Sequence, residues 1–483
     1  MEQRAGAQIS RKAFFQSAGI LFGMMILAGI LTRIIPPGQY TRLLSGERLV
    51  IDPGSFRYLS RPEFPIWRWF TAPVEVLWGE DSLLVLVISA FILLIGGAFA
   101  VLEKTDILRT GLGWIVRRFD GRRYLLLAVI SLFFMVLGAF LGIFEEIIPL
   151  VPLALALAHY LGWDPLIGLG MSILAANLGF SAAITNPFTI GVAQELAGLP
   201  LFSGTWLRIP IFLTTYGVLL FFLLRYAKRI DRDPQHSLVQ DQEIPSGPPD
   251  WKLAGEEGGS LGRRMRRAAA WFLGSLVLIL AVLVAAPFSP VLADLALPAV
   301  GLFFLIGGLG AGLLSPTPTG EVFSALREGI QGMAPAILLI LMAVSVKHIV
   351  VQGKILDTIL QAAAEPLTRA GPWGSALLIY FIALVIEFFI SSGSAKAFLI
   401  MPILLPLADL VGVTRQVAVT AYTFGDGFSN TIYPTSPVLL IALGLSVVSY
   451  PRWLRWTLPL WGMMLLVTIL YLSLAVAVGY GPY

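Results

Sequence analysis

Apolar runs of about 18 residues or more recur along the whole chain, and a run of that length is what a helix needs to cross the hydrocarbon core of a bilayer. In lipid, backbone polar groups must be satisfied internally, so such a chain folds as a helix bundle or a closed barrel. Long runs without strict alternation select the bundle. Only 13% of the 483 residues are charged and 57% are hydrophobic, which agrees with a polytopic membrane protein. The stretch MEQRAGAQISRK leads into residues 13–35, too long for a signal h-region and without a small-residue cleavage site, so it reads as the first span.

Several function classes drop out. The chain has no cysteine and three scattered histidines, His159, His236 and His348, so it offers no thiolate site or imidazole cluster. Neither HExxH nor GxxxxGK[ST] occurs, which argues against a zinc intramembrane protease and an ATP-driven pump. No cofactor is expected. The net charge of +4 reflects Lys and Arg in loops, where they orient spans, and not a nucleic-acid partner. The loop 103–123 carries Lys104, Arg109, Arg117, Arg118, Arg122 and Arg123, and the segment 225–267 is richer still. Both are expected to be cytoplasmic, as is the N-terminus, with the protein in the inner (plasma) membrane.

The segment around QDQEIPSGPPD and AGEEGGS reads as a flexible linker, and the two sides of it resemble each other. PLALALAHYLG at 152–162 aligns with PILLPLADLVG at 402–412, and the same shift brings TNP at 185–187 onto TSP at 435–437. ILRTGL pairs with ILDTIL, and WLR recurs at 206–208 and 453–455. Collinear matches of this kind predict an internal duplication, the plan of many secondary transporters. Parity then requires 122–163 to be a re-entrant hairpin, since a full span would put the basic linker outside. The expected fold is all-α and polytopic: an inverted repeat with two re-entrant hairpins, two broken helices and about nine spans. The divisions are a first span and outside loop (1–75), repeat one (76–226), the linker (227–268), two connecting spans (269–316) and repeat two (317–483).

Each repeat has two polar interruptions. In repeat one they are a hairpin tip at 142–146 and a broken helix at 177–187; in repeat two, a tip at 391–396 and a broken helix at 424–437. Non-helical backbone at membrane depth survives only where protein or a water-filled cavity satisfies it, and broken helices present N–H groups to anions and C=O groups to cations. Gly425, Gly427 and Pro437 allow the second break, and Asn430, Thr431, Thr435 and Ser436 supply oxygens. Asp426 either carries a proton or completes a cation site. Glu145 and Glu146 at the first tip lie opposite Lys396 under the repeat shift, which suits a zwitterion or mutual charge pairing. The blander readings are small-residue helix packing for the Ser, Thr and Gly, and a structural ion pair for Glu145, Glu146 and Lys396. Lys347 and His348 are either a proton relay or residues snorkelling from a span end. Glu387, in LVIEFF, either faces a cavity or caps a hairpin contact.

IPPGQYTRLLSGERLVIDPGSF, GIFEE, TNPFTIGVAQ, SSGSAKAFLIMPILLPLADLVGVTRQ and FGDGFSNTIYPTSPVL together resemble the YfcC-type transporters of the DcuC-like C4-dicarboxylate carrier group, within the ion transporter superfamily. The resemblance implies an elevator-type homodimeric carrier whose sites lie at the hairpin tips and broken helices. That carries over to Glu145, Glu146, Thr185, Asn186, Ser392, Gly393, Ser394, Asn430, Thr435 and Ser436. Lys396 departs from the family pattern, in which a neutral residue is usual. The substrate residues expected are these tip and break residues with Lys396, and the expected ligands of a coupling cation, Na⁺ or H⁺, are Asn177, Asp426, Asn430 and Thr431. The function expected is cation-coupled symport or exchange of a small carboxylate-bearing metabolite, an amino acid (basic ones such as arginine or ornithine included) or a C4-dicarboxylate. The alternative is a cation/proton antiporter without an organic substrate. An intramembrane enzyme would need a nucleophile–base pair or a metal cluster that the sequence lacks.

Overall fold

The computed structural model of the chain describes residues 11–45, 48–52, 54–79, 82–108, 110, 119, 121–239, 260–285, 290–446 and 448–481. The middle of the predicted linker, with Lys252, and the loop residues Arg109, Arg117 and Arg118 lie outside the described residues. Ten helices among them are long and apolar enough to cross a membrane, which makes this a multi-pass membrane protein. The expected nine spans differ in an instructive way. The predicted span 416–448 is two shorter helices, Arg415–Gly427 and Pro437–Ser446, while two of the ten long helices are hairpin arms, Arg123–Leu141 and Gly393–Leu410. Both have the length and composition of a span.

Helix dominates, with one exception to the all-α expectation. Gly38–Gln39 pairs with Arg57–Tyr58, and Arg42–Ser45 with Arg48–Ile51, as antiparallel ribbons. LLSGERLV carries the cause: two short β-favouring runs around a glycine-containing turn signal. The ribbons are tied to helix Leu356–Ala364 through buried Asp357, which accepts from Tyr40 N and pairs with Arg42, each at 3.0 Å.

The first hairpin descends as Arg123–Val136, widens into a π-helical turn at Leu137–Leu141, and stops at Gly142, whose φ of +68° favours glycine. A 3₁₀ turn, Glu145–Leu150, then feeds the return helix Val151–Tyr160. The turn proper is therefore at 142–144, and Glu145 and Glu146 open the return arm. The second hairpin runs Pro372–Glu387, unwinds over 388–392, and returns as Gly393–Leu410. Here the expected tip at 391–396 is displaced. Ser392 is an N-cap, so Gly393 to Lys396 already form the first helical turn.

The broken helices are shorter in their breaks than expected. In the first, helix persists through Ala182, the chain leaves it only over 183–186, and Pro187 opens the next turn. In the second, helix persists through Gly427 and resumes at Pro437. Gly425 lies inside the helix and Gly427 ends it, and both allow close approach. A Cβ on Gly425 would sit 2.4 Å from Tyr380 O, and one on Gly427 2.2 Å from Ser181 Oγ.

Local geometry recurs at the spacing of 250 residues that separates Asn177 from its partner Gly427. Asp164 caps a helix by accepting from Ile167 N, and Thr414 caps one by accepting from Val417 N. Gly162 and Gly412 before them have φ of +82° and +76°. Asn186 accepts from Thr189 N, and Ser436 from Leu439 N, each just before a proline that starts a helix.

The hairpins and broken helices pack chiefly on one another and on Thr205–Arg232 and Tyr450–Ala477. Arg11–Ile34, Ser82–Lys104, Ser260–Ala285, Pro290–Leu314 and Thr319–Gln352 form a second group. Within it, Ser82–Lys104 and Thr319–Gln352 approach backbone to backbone: a Cβ on Gly329 would lie 2.3 Å from Gly96 O.

Candidate functional site

The second hairpin meets both broken helices at Gly393. A Cβ there would fall 2.9 Å from Thr189 Cγ2 and 3.1 Å from Asp426 Oδ2, so glycine lets the tip close onto an acid. One turn on, the same helix carries Lys396, which is fully buried. Its ammonium lies 2.7 Å from Asp426 Oδ1, contacts the carboxylate of Glu387, and donates to Ile390 O at 3.2 Å. Glu387 is 2% exposed and Asp426 0%, so the three charges share a dry site. Ile390 lies in the unwound stretch before Ser392, where a backbone carbonyl is free to face a cation.

Two carboxylates oppose one ammonium, which leaves one formal negative charge unmatched. The ammonium is the one counter-charge that Asp426 Oδ1 and Glu387 Oε2 meet among the described residues, while Asp426 Oδ2 is buried without a partner. Burial of an unmatched charge is costly. Tyr422 closes one side by donating its hydroxyl to Gly393 O.

The second break is held from outside. Asn177 Nδ2 donates to Gly427 O at 3.0 Å, Trp453 Nε1 to Thr431 O at 2.6 Å, and Tyr450 Oη to Ile432 O at 2.5 Å. Asn430 Nδ2 donates back to Asp426 O at 3.3 Å. Asn177 Oδ1, Thr189 Oγ1 and Thr435 Oγ1 are buried without a partner and remain available as ligand oxygens.

The first tip and first break are tied to each other. Thr185 donates its amide to Ala139 O at 3.1 Å and its hydroxyl to Phe140 O at 2.9 Å, satisfying the end of the first arm. Asn186 Oδ1 accepts from Phe188 N and Thr189 N while its Nδ2 donates to Phe180 O. The polar groups of Thr185 and Asn186, expected at the substrate, are thus engaged in holding the break. Ser392 and Ser436 act as caps, and Ser394 is half-buried beside the tip. Glu145 and Glu146 are half-buried at the start of the return arm.

The structure does not pair Lys396 with the first tip. Among the described residues its ion pairs run to Glu387 and Asp426, both in its own half of the chain. Glu387, left open by the sequence, belongs to this cluster. The available signal was energetic: a carboxylate inside LVIEFF needs a counter-charge, and Lys396 follows it across the tip.

A cavity of about 460 Å³ lies between the outer ribbon and the second tip, with Arg42, Lys354, Asp357, Ile390 and Ala395 in its wall. His348 is elsewhere: its Nε2 contacts Glu75 at 3.3 Å. Arg68 grips the same Glu75 through Nε and Nη2 and holds its carboxyl low, at about 2.

Comparison with known proteins fits this architecture. Residues 14–477 match the family described as the C4-dicarboxylate anaerobic carrier, DcuC. A relative in Escherichia coli (strain K12), named "Putative basic amino acid antiporter YfcC", is 29% identical over 95% of this chain and 96% of its own. An uncharacterized protein of Haemophilus influenzae is 25% identical over 81% of this chain and 75% of its own. Among solved structures, the YdaH transporter of Alcanivorax borkumensis aligns over 97% of this chain and 99% of that one, with 18% identity and a TM-score of 0.42. MtrF of Neisseria gonorrhoeae, from a class of antimetabolite efflux pumps, aligns over 94% of each with 18% identity and a TM-score of 0.39. The family and the named relative are transporters and not enzymes. The chain belongs to the DcuC family of C4-dicarboxylate anaerobic carriers, and is a membrane transporter.

Proposed function

We propose that the chain is a secondary active carrier of a small carboxylate-bearing metabolite, working by cation-coupled symport or by exchange. The observation that carries this reading is the buried Glu387, Lys396 and Asp426 cluster, set where a hairpin tip meets two broken helices. A transporter without a coupling ion has no use for an unmatched charge at such a place. The family description supports a C4-dicarboxylate, and the name of the Escherichia coli relative supports a basic amino acid. Half-buried Glu145 and Glu146 favour a substrate that carries a positive group beside its carboxylate. Buried Asn177 Oδ1 and Thr435 Oγ1, with Asn430 and Thr431 nearby in the chain, suit ligands of cation or substrate.

The recurring caps at 164 and 414, and at 186 and 436, support an inverted repeat. The denser packing of each group within itself than against the other supports an elevator, with the hairpin group as the moving part. Assembly as a homodimer in the inner membrane with the N-terminus cytoplasmic belongs to the same reading, supported by the basic residues at Arg225–Arg232 and Arg263–Arg267.

Uptake of arginine, ornithine, aspartate and succinate into proteoliposomes, under imposed pH or Na⁺ gradients, tests it. Accumulation or counterflow of one of these solutes is the expected result. Dissipation of the pH gradient by cations alone, with no solute moved, would replace it with cation/proton antiport, a reading the acid-rich cluster also accommodates.

A further inference from the structure

The oxygen atoms around Lys396 make up a site for a small hard cation. Asp426 Oδ1, a Glu387 carboxylate oxygen and the Ile390 carbonyl converge on one point, and the Nζ of Lys396 occupies it. Carboxylates and an unwound-helix carbonyl are the ligands that alkali and alkaline-earth ions take in proteins. We propose that the ammonium of Lys396 is a tethered substitute for an alkali cation, so that the ion this site exchanges is a proton on its unmatched carboxylate and not Na⁺. The inference rests on the carrier reading above and names its coupling ion.

Three observations lead to this assignment. The ammonium is covalently attached through the first turn of a capped helix, so it does not leave when the site opens to water. Two acids against one base leave a single negative charge, which one proton neutralises without needing more room. The hairpin closes tightly on the acid: a methyl group at Gly393 would crowd Thr189 Cγ2 at 2.9 Å and Asp426 at 3.1 Å. The titratable groups around Asp426 are Lys396 and Glu387, which meet it through the shared ammonium, Tyr422 on its own helix, whose hydroxyl is committed to Gly393 O, and Tyr380 on the helix packed against Gly425. From the elements packed against this helix, Thr189, Asn177 and Ser181 contribute neutral polar groups.

The test uses purified full-length protein and no organic solute, so it is independent of whether a transported substrate has been identified. Saturable ²²Na⁺ binding and apparent Tm are measured for wild type, K396A and K396A/D426N, in NaCl and in choline chloride of equal ionic strength. Wild type is expected to bind no Na⁺ saturably and to show the same Tm in both salts. K396A is expected to lose several degrees in choline chloride, to recover them in NaCl, and to bind one Na⁺ per chain. K396A/D426N lacks a ligand of the vacated site and is expected to show neither recovery nor binding. Saturable Na⁺ binding by wild type overturns the proposal, as does a folded K396A that binds none. A K396A protein that cannot be recovered even in NaCl overturns it too, because Na⁺ is to restore the site. Failure to find a transported solute would count against the carrier reading while leaving these results intact.

Discussion

Replacing Lys396 with methionine, in buffer free of Na⁺, is expected to harm the protein far more than replacing either acid it touches. Methionine keeps the volume and removes the charge. The two carboxylates that shared the ammonium would then face each other directly, and unit charges about 4 Å apart repel by roughly 4 kcal/mol at an effective dielectric of 20. Stranding buried charge by removing one partner costs about 3–5 kcal/mol in general, so the two estimates agree. E387Q or D426N instead leaves one acid against one base, a matched pair, and should cost clearly less. The double variant E387Q/D426N strands the ammonium and returns to the severe class. At about 2 °C per kcal/mol, the low end for large chains, K396M loses roughly 6–10 °C of apparent Tm. Size-exclusion profiles and thermal melts in detergent at pH 7 measure the order. A K396M protein as stable as E387Q would refute the charge arithmetic, and with it the claim that one negative charge in the cluster is unmatched.

Other perturbations probe other links. N177L removes the donor to Gly427 O in a dry site and should cost about 1–3 kcal/mol, read as a lower Tm; an unchanged Tm would mean that the second break does not depend on this bond. G329A places a Cβ 2.3 Å from Gly96 O and should push apart two helices that now touch by backbone, lowering Tm, while G19A, with open space around it, should not. Glu75 lies outside the long apolar helices, and Arg68 lowers its carboxyl pKa from 4.5 to about 2. A lowered folded-state pKa stabilises above the unfolded value, so E75Q should lower Tm near neutrality, and the difference from wild type should shrink as pH falls from 4.5 towards 2. E146Q should fold and insert yet abolish or uncouple transport in proteoliposomes; wild-type rates would remove the first tip from the site.

Much of the fold was legible because lipid makes each polar residue informative. The interruptions at 142–146, 177–187, 391–396 and 424–437 each contain or adjoin a real departure from helix, although helix persists through Ala182 in the second and Gly427 in the fourth. Glycine was only partly legible. Gly427 does end the helix at the second break, but Gly425 lies inside it, and the contacts of both with Tyr380 and Ser181 require knowing which helix lies alongside. The partner of Lys396 was equally hidden. Alignment set it opposite Glu146, whereas the geometry of one hairpin brings Glu387 and Asp426 to it. The π-helical turns at 137–141, 170–174 and 187–191 left no compositional trace, since their extra residue is decided by neighbouring packing.

The contact between Asn177 and Gly427 has a consequence for ancestry. In a chain descended from two fused copies, equivalent positions can touch only beside the local symmetry axis, as they do across the isologous interface of a dimer. Here the two positions that touch are a full repeat length apart, so the axis would run between the two broken helices. Identical residues cannot serve well at such a place. Two asparagines would collide where a single Cβ on Gly427 already meets Ser181 at 2.6 Å, and two glycines would leave a buried carbonyl without a donor. Under the proposed inverted repeat, an ancestor with one gene for both halves would have had to compromise there, and fusion would let one copy keep the amide while the other shed its side chain.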